Sequence, residues 1–344
     1  MLKSDVLASD GKNCSLDVAT DQLENRTVLL TGASGLIGTH FLCALHYLQT
    51  VLSVNVKVIA IVNRGIPEHL VSLSTSNAIQ FIQGDLATEA FVCDLPPADV
   101  IVHAATYGQP GMFMDYPEIT IKLNTYVTSV LLEKVLNKNG RFLFISSSEV
   151  YSGLTTTPFS ETKMGSTTPD HPRACYIEAK RCGEAVVNVY RNKSCSATSA
   201  RLSLAYGPGT RRGDRRVINN FVEKALLQKK ITLLDNGEAK RTYCYVSDAV
   251  NMMLRILLEG QESVYNVGGV SSVTIADLAR LVGKIVGVNV IFPQHGGGGD
   301  SCAPEVVRLD IARYTAEFGE REFVGLETGL RNIIEWQKNL YSVE

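Results

Sequence analysis

One stretch, Thr31-Gly32-Ala33-Ser34-Gly35-Leu36-Ile37-Gly38, leaves this chain few folds to choose from. The apolar run Thr27-Val28-Leu29-Leu30 precedes it, and a helical pattern of Phe41, Leu42, Leu45 and Leu48 follows. Strand, glycine turn and helix in that order place a helix N-terminus where it can receive a diphosphate. Gly32 lets the chain turn tightly, Gly35 lets the backbone approach a phosphate, and Gly38 lets the helix pack on the strand. Glycine turns also serve as ordinary strand-to-helix connections, and the spacing here is G-x-x-G-x-x-G, so the rest of the chain has to carry the argument.

Residues 56–62, 78–82, 99–102, 141–145 and 198–202 read as further buried strands. Helical spacing connects them, with one helix expected over 116–136 and a long one over 172–192. Such alternation predicts an α/β fold, a Rossmann-type doubly wound parallel sheet. Ligands of these sheets bind beyond the carboxyl ends of the strands. The glycine turn, Asp85-Leu86, His103-Ala104-Ala105 and Ser146 to Tyr151 all fall at such ends. After residue 203 the pattern loosens. The expected division is a dinucleotide-binding domain over 25–202, with a segment at about 242–268 returning to its sheet. Residues 203–241 and 269–344 would build a smaller, interleaved C-terminal substrate-binding α/β domain. Residues 1–24 read as an N-terminal arm, and His295 to Asp300 as a flexible loop.

At 344 residues the chain is long for one core. A net charge of −2 with no long basic block argues against nucleic acid or an anionic membrane as partner. No run is long and apolar enough to span a bilayer, and no basic-then-apolar leader opens the chain, so a cytoplasmic location is expected. The cysteines are scattered without C-x-x-C and the histidines lack ligand spacing, so no metal site is expected.

The second strand ends at Val62, followed by Asn63-Arg64, without the acidic residue that commonly takes the ribose hydroxyls of NAD. NAD is the expected cofactor. NADP stays open, because Arg64 could face a 2′-phosphate. In Tyr176-Ile177-Glu178-Ala179-Lys180 the tyrosine and lysine share one helix face. A nearby ammonium favours phenolate, and such a tyrosine can move a proton while a hydride moves to or from nicotinamide. Ser147, at a strand end, is the third member, able to orient a sugar hydroxyl or, more plainly, to cap a turn. Tyr176 and Lys180 are also expected to touch the cofactor. Arg201, Arg211, Arg212, Arg216 and Arg241 are candidates for a nucleotide diphosphate, since guanidinium forks match phosphate oxygens.

Together these segments resemble the extended short-chain dehydrogenase/reductase superfamily, in the branch that modifies nucleotide sugars. Within it the chain looks most like UDP-glucuronate decarboxylases. Pro172-Arg173-Ala174-Cys175-Tyr176 to Lys180-Arg181, Ser147-Ser148-Glu149-Val150-Tyr151 and Asp214 with Arg216-Val217 carry that likeness. The resemblance implies a transient oxidation at sugar C4, with Tyr176 taking the hydroxyl proton. A carboxylate at C5 then leaves as carbon dioxide, Ser147 and Tyr176 steady the enolate, and hydride returns. Glu149 and Arg241 would position the carboxylate or handle reprotonation. Tyr107, Ser148, Arg216 and Arg241 would bind substrate, and a homodimer would form through the helices near 116–136 and 172–192. Two places depart from the family: Leu204 replaces an asparagine that touches substrate, and Thr106 to Gly111 replaces a proline-rich loop. They leave open a 4-epimerase, a 4-ketoreductase using NADPH, or a dehydratase. A non-catalytic dinucleotide-binding protein is the competing class.

Overall fold

Continuous β-branched and apolar runs make strands that can be buried on both faces, and such strands assemble in parallel between two helix layers. The computed structural model describes residues 5–138, 140–193, 195–293 and 306–343. Its strands are β1 (Arg26–Thr31), β2 (Val56–Val62), β3 (Ile79–Gln83), β4 (Val100–His103), β5 (Arg141–Ser147) and β6 (Ser196–Leu202). Then come β7 (Ala205–Tyr206), β8 (Lys230–Thr232), β9 (Lys240–Tyr245), β10 (Val264–Val267), β11 (Ser271–Thr274), β12 (Asn289–Ile291) and β13 (Val306–Val307). Seven of them form one all-parallel sheet in the order β10-β6-β5-β4-β1-β2-β3. The chain steps outward from β1 through β3 and then returns to β4 on the other side of β1. The switch point is therefore the crevice between β1 and β4.

The helices are α1 (Asp5–Cys14), α2 (Leu36–Thr50), α3 (Glu89–Asp94), α4 (Pro110–Asp115), α5 (Pro117–Asn124), α6 (Tyr126–Leu136), α7 (Ala174–Arg191), α8 (Val217–Gln228), α9 (Val246–Glu259), α10 (Ile275–Val286), α11 (Ala312–Phe318) and α12 (Leu326–Tyr341). One core joins the sheet to α2 and α9 through Phe41, Leu45, Met252 and Met253. A second joins its other face to α6 and α7 through Leu131, Val135, Phe142 and Val187. A third, separate core holds α8, α10 and α12 against β9.

Three expectations need correction. The N-terminal arm is, from Asp5, helix α1, with Leu7, Asp10, Gly11 and Cys14 buried. Gly11 allows the close crossing: a Cβ there would lie 2.7 Å from the Cys43 carbonyl oxygen of α2. Asp10 accepts from His40 Nε2 at 3.0 Å and from the Tyr245 hydroxyl at 2.9 Å, so one buried carboxylate ties α1 to α2 and β9. The helix expected over 116–136 is broken at Thr125, which leaves helical ψ (φ −116°, ψ −77°). There the Leu123 carbonyl accepts from His103 Nε2 at 2.9 Å and the Asn124 carbonyl from Thr128 Oγ1 at 2.8 Å, side-chain bonds that compete with the helix ladder. Finally, residues 240–245 do not return to the main sheet. As β9 they pair with β7, β11 and β13, and the return starts at Val246. The loop from His295 to Asp300 lies outside the described residues.

Candidate functional site

Gly32 has φ +67°, and a Cβ there would lie 2.8 Å from the Ala104 carbonyl and the Ala105 nitrogen. The turns after β1 and β4 therefore touch at the switch point only because position 32 is glycine. Gly35 is the N-cap of α2 and has no side chain to satisfy the first-turn N–H groups, which leaves them for an anion. Gly32, Ser34, Gly35, Leu36, Asn63, Arg64, Asp85, Leu86, Ala104 and Ala105 line one cavity of about 410 Å³, as do Tyr107 and Arg216. A backbone cradle of this kind fits the diphosphate of a dinucleotide.

Three expected cofactor-binding residues also pack into the scaffold. Gly38 packs on the turn, where a Cβ would come within 2.2 Å of the Gly32 oxygen. Ile37 packs against the apolar core. His103 is buried, with Nε2 at 2.9 Å from the Leu123 carbonyl and Nδ1 at 2.8 Å from Thr31 Oγ1. A carbonyl only accepts, so Nε2 carries the proton and Nδ1 accepts from Thr31. Burial pulls the imidazole down to about 4, against the Leu123 bond that raises it. The unfolded chain takes up a proton near its ordinary value while the folded one refuses it until about pH 4, so stability falls as pH drops through that window. Unfolding free energies at about pH 7 and about pH 5, from urea denaturation, are expected to differ by roughly 2 kcal/mol from this group alone. The difference should shrink in His103→Gln, and an equal fall in both proteins would remove His103 from the acid response.

The second cluster begins where β5 ends. Ser147 Oγ accepts from the Glu149 N–H at 3.2 Å, capping the short turn Ser148–Tyr151, and also hydrogen-bonds the Tyr176 hydroxyl. Tyr176, on α7, stacks on Phe113 with ring centroids 4.5 Å apart. Phe113 follows Met112, which lines the cavity. Glu149 pairs with Arg173 Nη2 at 2.6 Å, and Arg241 lies close enough to feel its charge. Burial holds the Arg241 guanidinium below its ordinary value, with Tyr243 and Glu149 opposing. Ser147, Glu149, Tyr176 and Arg241 are thus brought together, with Ser148 in the same turn.

Lys180 shares the helix face of Tyr176 and is also tied to the sheet. Its ammonium donates to the Ile145 carbonyl at 2.5 Å and lies 5.7 Å from the Tyr176 ring centroid. Burial pulls it down to about 7, with Glu184 opposing. Tyr176 is pushed up to about 12 by burial; the Ser147 bond and Arg173 lower it and Glu149 raises it. Within the chain itself, Ser147 and Arg173, rather than Lys180, favour the phenolate. Arg173 was legible as part of the Pro172 to Arg181 run, but its partner was not, because 24 residues separate it from Glu149.

The arginines also separate. Arg201 is buried in an ion pair with Glu184 at 2.7 Å, so it does not reach a diphosphate. Arg212 donates to the Leu340 carbonyl at 2.5 Å. Arg216 grips Asp214 with both Nε and Nη2, at 3.0 and 2.5 Å, while still lining the cavity. Arg211 reaches Ser34 Oγ at 3.0 Å. Leu204 has φ +37°, a left-handed backbone that suits asparagine far better than leucine. Among the described residues no group of three or more His, Cys, Asp or Glu is placed to hold a metal, and no helix is long and apolar enough to cross a membrane.

A doubly wound parallel sheet, a glycine cradle at its switch point and a tyrosine–serine pair at the next strand end define a dinucleotide-dependent enzyme class. Residues 28–268 match the NAD-dependent epimerase/dehydratase family, and the chain belongs to it. It is 29% identical over 309 residues to UDP-glucuronic acid decarboxylase 6 of Arabidopsis thaliana, covering 89% of this chain and 87% of that protein. It is 28% identical over 317 residues to UDP-glucuronic acid decarboxylase 1 of Xenopus tropicalis, covering 91% and 72%. In fold it is similar to a dTDP-glucose 4,6-dehydratase of Streptomyces venezuelae solved with NAD, with a TM-score of 0.79 at 21% identity over 92% and 98% of the two chains.

Proposed function

We propose that this chain is an NAD-dependent nucleotide-sugar enzyme that oxidises its sugar transiently at C4 and decarboxylates a UDP-glucuronate-like substrate. The observation that carries the reading is the cluster in which Glu149 is paired with Arg173 and feels the charge of Arg241, beside Tyr176 and Ser147. Guanidinium forks match carboxylate oxygens, so an arginine beside Tyr176 and Ser147 suits a sugar that itself carries a carboxylate. The likeness to UDP-glucuronic acid decarboxylases supports the same substrate class.

NAD, when bound, supplies the hydride acceptor and later the hydride donor. Tyr176 takes the C4 hydroxyl proton and returns it. Once C4 is a ketone, the C5 carboxylate is a β-keto acid and can leave as carbon dioxide. Ser147 and Tyr176 then donate to the enolate oxygen. C5 then takes one proton that comes from water by way of Glu149, which Arg173 orients, and Arg241 orients the carboxylate before it leaves. Lys180 positions β5 through its bond to Ile145 and leaves the proton to Tyr176. Gly32, Ser34, Gly35, Leu36, Asn63, Arg64, Asp85, Leu86, Ala104 and Ala105 hold the dinucleotide, and Tyr107, Ser148 and Arg216 face the substrate. The unit around the third core serves as the substrate-binding half, and two copies pair through α5, α6 and α7, where Tyr116, Ile121 and Val189 are exposed.

The test is mass spectrometry of the purified protein incubated with UDP-glucuronate and NAD. Loss of the mass of one carbon dioxide, with NAD unconsumed, is the expected result. An isomer of unchanged mass would replace decarboxylation by 4-epimerisation, the second reading, which Leu204 and the Thr106 to Gly111 loop favour. Consumption of NADPH with a 4-keto sugar would replace it by reduction. Light scattering of the same sample should give the mass of two chains, and the mass of one would remove the pairing.

A further inference from the structure

We infer that Arg211 binds phosphate oxygens of the dinucleotide, so that the cofactor is clasped from the side of the smaller unit as well as by the glycine turn. The inference rests on the cofactor reading above and adds to it a residue that the chain brings in from the far side of the cavity.

Arg211 Nη2 donates to Ser34 Oγ at 3.0 Å and lies 3.5 Å from the Ser34 carbonyl. Ser34 stands inside the glycine turn, one residue before the N-cap of α2. Both neighbours of Arg211 are fastened elsewhere. The Thr210 carbonyl accepts from Trp336 Nε1 at 3.0 Å, and Gly209, at φ +91°, lies on α2, where a Cβ would be 3.2 Å from Thr39 Cγ2. On the other side Arg212 is held by the Leu340 carbonyl and Gly213 N–H donates to the Tyr341 hydroxyl at 3.1 Å. With the loop pinned to α2 and α12, the Arg211 side chain crosses the cavity to the glycine turn. Its charge is felt by His69, which burial first, then His40 and Arg211, hold down to about 4.

The neighbouring cations are already engaged: Arg216 by Asp214, Arg212 by Leu340. Arg211 instead offers its fork to a neutral hydroxyl, a partner that an anionic phosphate replaces readily, since phosphate adds opposite charge and accepts two parallel bonds from the fork. It also adds a full charge where the α2 N-terminus already favours an anion. The phosphate can be the diphosphate or, because Asn63 and Arg64 line the same cavity, the 2′-phosphate of NADP.

Trp336 is the only tryptophan of the chain and bonds the residue next to Arg211, so its fluorescence reports on this loop. Wild type, Arg211→Gln, Arg211→Lys and Arg215→Gln are titrated with NAD and with NADP, after thermal melting has verified a common fold. Arg215 is an exposed arginine of the same loop. Arg211→Gln should weaken binding about tenfold, Arg211→Lys less, and Arg215→Gln by under about twofold. Weakening of both cofactors alike assigns Arg211 to the diphosphate, and weakening of NADP alone assigns it to the 2′-phosphate. Arg211→Gln within about twofold of wild type for both cofactors would overturn the inference. A wild-type protein that binds neither would overturn the cofactor reading and this inference with it.

Discussion

Tyr176→Phe is expected to slow turnover of the sugar nucleotide by about 10²–10⁴-fold while leaving the fold and NAD affinity in place. The phenylalanine ring keeps the stack on Phe113, so the packing term is conserved. What is lost is one hydroxyl, which in the proposed reaction is the proton acceptor for C4 oxidation and one of two donors to the enolate. Ser147 is not orphaned by the change, because its Oγ still accepts from the Glu149 N–H. The variant should therefore melt within a few degrees of wild type. Single-turnover assays at saturating NAD separate the two quantities. Turnover within about tenfold of wild type would remove Tyr176 from the proton transfer. Because burial pushes the hydroxyl to about 12, substitutions that remove its local support, Ser147→Ala above all, should also lower activity, with the rate rising toward higher pH.

Arg201→Ala is expected to be the most destabilising single change in the main sheet, by about 3–5 kcal/mol. Arg201 on β6 meets Glu184 on α7 through Nε at 3.0 Å and Nη2 at 2.7 Å. Its Nη1 donates to the Tyr151 hydroxyl at 2.9 Å and to the Glu161 and Lys163 carbonyls at 3.2 and 3.3 Å. The Tyr151 hydroxyl in turn donates to Asn266 Oδ1 on β10 at 2.7 Å. Removing the guanidinium leaves the buried Glu184 carboxylate without its ion-pair partner, with Ser146 Oγ at 2.5 Å and the more distant charge of Lys180 to offset the loss. Burying an unpaired charge costs far more than the pair contributes. Replacing both partners, Arg201→Met with Glu184→Leu, should cost less than Arg201→Ala alone. Urea denaturation of wild type, both single variants and the pair measures this directly. A loss under about 1 kcal/mol for Arg201→Ala would contradict the network as described.

These two cases mark how far a linear reading reaches. Tyr176, Tyr151, Arg201 and Asn266 all stand in segments recognisable in the sequence, yet only Tyr176 stands with Ser147 in the candidate site. The other three are a buried brace between β6, α7 and β10. A motif records that a residue type is needed at a spacing; it does not say whether the need is chemical or mechanical. His103 behaves in the same way: its place at a strand end was legible, but its ring turns into the core toward Leu123, and the small residues after it face the cavity. Helix α1 was missed because its inward stripe of Leu7, Gly11 and Cys14 is weakly apolar and shares its face with Asp10. That carboxylate looks like a solvent residue until His40 and Tyr245 are brought to it across 30 and 235 residues.

The sequence by itself determined the parallel sheet, its strand ends and the glycine turn. Those features are written in local periodicity and in backbone freedom, which neighbouring residues express without help. It also determined which residue types gather at the carboxyl edge, since every strand of a parallel sheet ends on the same side. Only the tertiary structure decided the partners of charged groups. Arg173 was given to Glu149, Arg201 to Glu184, Arg216 to Asp214 and Arg211 to Ser34. An ion pair forms through space, between side chains whose separation in the chain carries no signal, and its strength depends on a burial that exists only once the cores have closed.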